Sequence, residues 1–385
     1  MTPYTALIAP KPNLCERVRA LGHRLLVVDH PARLTAPVTG LADLVIGADP
    51  EDTDALERLL APLHRAGELR AVLSVNETAL AAAAALAERF GLVGNGTAAV
   101  HRTRNKRAMR EALASRPEFA VPHREVRSLS EAEAFARECG AVVCKPVDGA
   151  GSQGVRRFAA GEEIRVASFP LLAEQLLTGK EYSVETVTVD GEHTVLGVTE
   201  KLLYEGSVVE QGHIFPAPLE APVRERMHGY VADVLTALGV VTGLAHTEVM
   251  LTEDGPRVIE THTRCGGDHL SKLIALATGV DVLELAVAVA AGDAPPLKTP
   301  EADRTAMIAF LDLAPGAVER VWGLDAARHR PGVNLLECDA RPGSVIAPIA
   351  DSYSRPGFVI VTGADAAEAR ARAAEAERSV RIEYR

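Results

Sequence analysis

The chain has 385 residues, of which 47% are hydrophobic, 4% aromatic and 24% charged, a composition that suits two or three packed domains and excludes a disordered chain. Its formal net charge of -11 at pH 7 disfavours nucleic acid or an acidic membrane as a general partner, because a polyanion would be repelled. The five cysteines, Cys15, Cys139, Cys144, Cys265 and Cys338, have no paired spacing, so neither a disulfide framework nor a zinc site is expected and a reducing cytoplasm fits best.

The opening MTPYTALIAPKPN lacks the basic start and long apolar core of a signal peptide, and every long apolar run is broken by charge, Gly or Pro. A soluble, cytoplasmic chain is expected. Over the first hundred residues, TALIAP, RLLVVDH, DLVIGAD and AVLSVNE are short apolar runs, each followed by a helical stretch. That rhythm predicts a parallel sheet with helices on its faces. No GxGxxG follows the first strand, which argues against a dinucleotide site. Gly94 to Gly96 read as a linker.

From Asn105 the pattern changes to a basic helix, NKRAMREAL, then a strand around Val121, the helix SEAEAFAREC and the strand AVVCKP. The hairpin YSVETVTVDGEHTVLGVTE turns at Asp190-Gly191, and its two-residue alternation predicts antiparallel strands. APVRERMHGYVADVLTALG is an amphipathic helix, followed by strands around GLAHTEVML and PRVIETHTR. After GDAPPLKTP the remaining segment predicts a small α+β subdomain.

Four groups of residues point to chemistry. In the loop from Lys145 to Gly154, Gly149, Gly151 and Gly154 let backbone N–H groups approach phosphate oxygens, Ser152 offers a hydroxyl and Lys145 a point charge. Alone, such a loop is equally well a plain hairpin turn, and it lacks the GK[ST] ending of a Walker loop. Lys106 sits in a run that by default is a solvated basic face; its companion Lys145 raises it. Between Glu174 and Glu185, a strand that turns at Leu176 and Leu177 presents backbone groups suited to an adenine edge, and Glu181 can accept from ribose hydroxyls. His246 and Glu248 share one strand face, as do Glu260, His262 and Arg264. Adjacent strands would then turn carboxylates, imidazoles and a guanidinium towards one site, a donor set suited to Mg²⁺ with phosphate. The competing reading is an exposed sheet face laced with ion pairs.

Taken in order, Lys106, Lys145 with its loop, Glu174 to Glu181, Glu248, and Glu260 to Arg264 resemble the ATP-grasp superfamily, and most closely its L-amino-acid ligase group. Glu210 to Pro218 and the run from Ala306, with Pro315-Gly316 and the helix after Thr362-Gly363, carry the second resemblance. It implies an α/β ATP-grasp fold, with a Rossmann-like pre-ATP-grasp domain over 1-100, an ATP-grasp domain over 101-296 and a C-terminal α+β subdomain over 297-385. Within the middle domain, the ATP hairpin subdomain spans about 105-180 and the magnesium and substrate strands about 181-296.

The resemblance further implies ATP-dependent, ADP-forming joining of a carboxylate to an amine, with amino acids as substrates and Mg²⁺ (Mn²⁺ as its substitute) as the metal. Lys106 and Lys145 would bind phosphates under a flap from Gly149 to Gly154. The backbone from Glu174 through Gln175 to Leu177 would hold adenine, and Glu181 ribose. Glu248, Glu260 and His262 would face the metal, while Arg264, Gly267 and Asp268 would face the substrate. His262 departs from the family pattern, which has Asn there; its protonation would oppose metal binding. A base must deprotonate the attacking amine, and His213 and His246 are the two candidates. A carboxylase or purine-biosynthesis type ATP-grasp enzyme is the rival within the superfamily. A non-catalytic nucleotide-binding regulator is the rival outside it. A homodimer is the base-rate expectation.

Overall fold

The computed structural model describes residues 2–149 and 151–385; Ala150, in the glycine-rich loop, lies outside the described residues. Strands β1 (Tyr4–Ile8), β2 (Arg24–Asp29), β3 (Leu44–Gly47) and β4 (Leu69–Leu73) form a parallel sheet in the order β3-β2-β1-β4. Helices α1 (Pro12–Ala20), α2 (Ala36–Thr39) and α3 (Thr53–Arg65) connect these strands, and α4 (Leu80–Phe90) follows the last. The two-residue repeat sorts the side chains by face. Ala6, Ile8, Leu26 and Val28 pack on Leu56, Leu60 and Leu86 of α3 and α4. Leu7, Leu25 and Val27 point the other way, into a core shared with the middle of the chain. Helix α4 ends at Gly91, whose φ of 62° is the left-handed turn that only glycine takes cheaply.

Asn95 then ties this unit to the next. Its side chain accepts from the N–H of Val241 (2.9 Å) and of Thr242 (3.1 Å) and donates to Thr242 O at 2.6 Å. Helices α5 (Thr97–Arg104) and α6 (Lys106–Leu113) are separated by Asn105, which caps α6 by accepting from Ala108 N at 2.9 Å. The cap fixes where α6 begins and so where Lys106 points. Beyond it lie β5 (His123–Val126), α7 (Leu129–Cys139), β6 (Val142–Lys145), β7 (Arg156–Phe158) and β8 (Leu171–Gln175), with the strands in the order β5-β8-β6-β7. The strand expected around Val121 begins two residues later, at His123.

The central sheet is antiparallel, in the order β13-β12-β9-β10-β11-β14-β18-β16. Its members are β9 (Lys180–Val189), β10 (Glu192–Leu203), β11 (Glu210–Phe215), β12 (Gly243–Thr252), β13 (Gly255–His262), β14 (Thr305–Phe310), β16 (Val333–Cys338) and β18 (Gly357–Gly363). Helix α8 (Ala221–Leu238) covers one face through Met227, Val231 and Leu235 on Val184, Val198 and Val249. Helices α9 (Leu270–Thr278) and α10 (Val282–Ala290) cover the other, where Leu273, Ile274 and Val287 share a core with Val187, Leu196, Leu7 and Val27. Burying one such side chain contributes about 1.5–3 kcal/mol, so this shared core joins the N-terminal sheet to the central one.

The C-terminal segment divides between two layers. β14, β16 and β18 extend the central sheet under α11 (Leu324–Arg328) and α12 (Ala366–Ser379), while β15 (Gly316–Trp322), β17 (Val345–Ile346) and β19 (Arg381–Tyr384) form a small sheet. Among the described residues, no single helix is long and apolar enough to cross a membrane.

Candidate active site

A cleft lies between the sheet β5-β8-β6-β7 and the central sheet. Lys106, Lys145, Gly149, Gly151, Ser152, Glu174 to Leu177, Glu181, Glu248 and Glu260 all line it, so residues spread over more than 150 positions of the sequence meet in one place. The N-terminus of α6 and the end of β6 bring the two lysines together. Lys106 Nζ lies 2.8 Å from Glu260 and donates to Gly149 O at 3.0 Å. Burial weakens its charge, but Glu260, Glu248 and Glu174 outweigh that and raise its pKa.

Lys145 Nζ lies 2.8 Å from Glu174. Burial, assisted by the nearby Arg110 charge, lowers its pKa against the pull of Glu174. The Glu174 side chain is turned inward as a counter-ion: Oε1 accepts from Arg110 Nε at 2.8 Å and Oε2 from Arg110 Nη2 at 3.0 Å. Burial pushes the Glu174 carboxyl up, yet the charges of Arg110 and Lys145 prevail and hold it at about 2. Arg110 was not anticipated. The signal was present in α6, where Lys106, Met109, Arg110 and Leu113 are the buried positions at helical spacing.

At the turn expected to hold adenine, the N–H groups of Gln175 and Leu176 already donate to Pro122 O (2.9 Å) and Ala141 O (3.0 Å). The Leu177 N–H has no acceptor among the described residues. Glu181 does not stand free for ribose: Arg157 Nη2 lies at 2.6 Å and Lys201 Nζ at 3.6 Å. Ser152 has its hydroxyl donated to Val208 O at 3.2 Å, away from any phosphate role in this arrangement.

Glu248 and Glu260 face each other directly across β12 and β13, as the alternation predicts. Two adjacent half-buried carboxylates repel, and the buried lysines Lys106 and Lys201 offset the repulsion. Lys201 Nζ lies 2.9 Å from Glu248 and 3.5 Å from Glu210. Burial opposes the Lys201 charge, but Glu248, Glu210 and Glu181 raise its pKa strongly. Glu248 is pushed up by burial and down further, to about 2, chiefly by Lys201 and His246. Lys201 was missed because its strand, β10, pairs with neither β12 nor β13.

The two histidines of these strands are each held by carboxylates. His246 Nδ1 lies 2.5 Å from Glu185, and Nε2 3.5 Å from Glu248. Burial lowers its pKa, but the two glutamates raise it to about 9, so the ring is an imidazolium and a poor base. His262 lies between Glu77 (3.2 Å) and Glu260 (3.4 Å), and the two carboxylates raise its pKa against burial. His262 thus bridges Glu77 of the N-terminal unit and Glu260 of β13. Glu77, from the N-terminal unit, also accepts from Arg264 Nε at 2.6 Å. A continuous chain of contacts thus runs from Glu260 through His262 and Glu77 to Arg264.

Beyond Arg264, Gly267 and Asp268 lie in the turn before α9. Asp268 does not present a free carboxylate to an ammonium group. It receives Arg355 through Nη1 at 2.8 Å and Nη2 at 2.6 Å, and His213 Nε2 lies 3.0 Å away. Burial raises the Asp268 carboxyl, but His213 and Arg355 lower it well below its ordinary value. His213 Nδ1 is buried without a hydrogen-bond partner. Cys265 is no nucleophile, since burial pushes its thiol up to about 11.

A glycine-rich flap and two lysines above a crossed-strand carboxylate pair define an ATP-grasp site. The sequence agrees in three parts: residues 15–94 match the ATP-grasp N-terminal domain, 103–268 the ATP-grasp domain, and 309–385 the L-amino acid ligase C-terminal domain 2. An uncharacterised Sinorhizobium fredii protein, y4rH, is 28% identical over 327 residues, 80% of this chain and 68% of that protein. The alanine–anticapsin ligase of Bacillus subtilis is 26% identical over 248 residues, 56% of this chain but only 52% of the relative. The crystal structure of an L-amino acid ligase from Bacillus licheniformis superposes with a TM-score of 0.85 at 25% identity, covering 100% of this chain and 99% of that one. Purine-biosynthesis synthetases share the fold at lower identity. The chain belongs to the ATP-grasp carboxylate–amine ligase family, close in structure to L-amino acid ligase.

Proposed function

We propose that this protein joins an amino-acid carboxylate to an amine through an acyl-phosphate, converting ATP to ADP and phosphate. The observation that carries the reading is the facing pair Glu248 and Glu260 beside the lysine-lined flap, linked by touching side chains to Arg264. A site that only held a nucleotide needs no such extension towards a second guanidinium. The two carboxylates offer hard oxygen ligands, and the lysines seated on them mark a place that demands positive charge; this fits Mg²⁺, with Mn²⁺ as its substitute. Glu248 and Glu260 would hold the metal, which when bound neutralises charge on the phosphates.

In the proposed reaction a carboxylate oxygen attacks the γ-phosphorus, and the bond to the ADP oxygen breaks. Lys106, Lys145 and the N–H groups of the Gly149 to Gly154 flap orient the phosphates; Arg264 holds the carboxylate and its acyl-phosphate. Leu177 and Glu181 lie on the side of the cleft suited to the nucleoside. The amine nitrogen then attacks the acyl carbon, the bond to phosphate breaks, and the ammonium proton leaves to a base. His213 suits that base best: Asp268 holds one ring nitrogen and leaves Nδ1 without a partner. The similarity to an alanine–anticapsin ligase and an L-amino acid ligase supports amino acids as substrates.

ADP formation from a panel of amino-acid pairs, with product masses measured, tests the reading. Glu260→Gln and Arg264→Ala should abolish turnover while circular dichroism stays unchanged. Full activity in either would overturn the site. ADP formation with bicarbonate in place of the amino-acid carboxylate would favour the carboxylase-type alternative, and nucleotide binding without turnover the regulator.

A further inference from the structure

The turn between β17 and β18 belongs to the C-terminal unit, yet within six residues it touches both ends of the proposed active site. At one end it meets the phosphate flap. Asp351 accepts from Gln153 Nε2 at 3.2 Å, and Ser352 N donates to Gly151 O at 3.4 Å. The Tyr353 ring covers Gly151 so closely that a Cβ there would stand 2.6 Å from a ring carbon, although Tyr353 as a residue is 72% exposed. At the other end the turn meets the substrate side. Ser352 Oγ donates to Glu210 at 2.7 Å, and Arg355 grips both oxygens of Asp268, which in turn holds His213.

The turn is stiff enough to transmit position. Arg355 is 6% exposed on its side chain, donates through Nε to Ser352 O at 2.7 Å, and stacks 3.5 Å over the Phe310 ring. Ser354 Oγ accepts from Ala350 N (2.9 Å) and Asp351 N (3.0 Å), closing the turn on itself.

We propose that the turn from Ala350 to Arg355 is a latch that holds the phosphate flap down from outside and sets the orientation of Asp268 and His213 through Arg355. Tyr353 is the latch's contact with the flap, and Arg355 is a positioning residue for the substrate side. This rests on the ligase reading for what the coupling achieves: a flap held shut while the substrate turn is ordered keeps water from an acyl-phosphate. The latch contacts themselves do not depend on that reading.

The test uses the full chain with Tyr353→Ala and Arg355→Lys. Tyr353 is largely exposed, so its loss should leave the fold intact; lysine keeps the charge at 355 but cannot make the two-pronged grip. Trypsin cleavage after Arg156 and Arg157, at the end of the flap, should quicken at least about threefold in Tyr353→Ala, with or without MgATP. ADP made per amide formed should rise in both variants, and in Arg355→Lys the KM for the amine should rise about tenfold with little change in the KM for ATP. Unchanged cleavage together with an unchanged ADP-to-amide ratio overturns the latch. If the unmodified chain forms ADP with no amino-acid pair, the ligase reading fails, and the cleavage rates alone decide the latch.

Discussion

Glu174→Gln tests the buried charge cluster beneath the cleft. The side chains of Glu174, Arg110 and Lys145 are only 3%, 1% and 5% exposed, so solvent screens little of their interaction. Removing the negative charge strands two cations. Lys145 can release its proton, which burial already loosens, but a guanidinium cannot. The loss therefore falls on Arg110, and removing one partner of a buried pair costs about 3–5 kcal/mol. A second route gives a similar figure. The Glu174 carboxyl moves from an ordinary 4.5 to about 2, a shift worth on the order of 3 kcal/mol. With a urea dependence of about 2–3 kcal/mol per molar, the unfolding midpoint followed by circular dichroism should fall by about 1–2 M. The double variant Arg110→Met with Glu174→Gln should regain more than half of that loss, because the remaining lysine can neutralise itself. A midpoint change below about 0.3 M in Glu174→Gln, or no recovery in the double variant, would refute the argument.

Three other expectations follow from the same structure. The carboxyls of Glu77, Glu174 and Asp268 are all held below their ordinary values, so the folded chain binds fewer protons on them than the unfolded chain does. Their stabilisation is complete above about pH 5 and is lost as pH falls through 4 towards 2, so urea midpoints should stay level from pH 6 to pH 5 and decline from there to pH 3. Gly212→Ala would place a Cβ 2.5 Å from Ile308 O across the β11–β14 ladder and should cost about 1–3 kcal/mol in thermal or urea unfolding. Asn95→Ala leaves Val241 and Thr242 N–H groups unpaired at the junction of the two units, for a cost of about 1–3 kcal/mol and faster amide exchange at those positions.

The parts of the site carried by local pattern were legible in the sequence. Alternation along GLAHTEVML and PRVIETHTR puts Glu248 opposite Glu260, and glycine spacing marks the loop after Lys145. What escaped lies on elements that only the fold brings together. Glu77 reaches His262 across 185 positions, Arg355 reaches Asp268 across 87, and Lys201 enters from a strand two places along the sheet. No periodicity in a single segment encodes those meetings. The Glu174 backbone was expected at adenine and the Glu181 carboxylate at ribose; the cations that claim both side chains sit on other strands and on α6.

These partners explain how so acidic a centre exists in a folded chain. Glu248 and Glu260 would repel each other if left alone in a buried cleft, yet each has its own lysine, and those lysines belong to different elements, β10 and α6. Lys106 also holds Gly149 O at the base of the flap, so the side chain that balances Glu260 is the one that touches the phosphate loop. In the proposed reaction Glu248 and Glu260 would hold a metal, and Lys106, already paired with Glu260, would turn to phosphate, so that charge would be exchanged between partners already in place. Lys106→Met should then weaken nucleotide binding more than removal of a simple phosphate contact would, because it leaves Glu260 beside Glu248 with its own lysine gone. Nucleotide affinity in Lys106→Met measured with and without Glu260→Gln separates the two contributions: recovery of affinity in the double variant supports exchange, and a simple sum of the two losses refutes it.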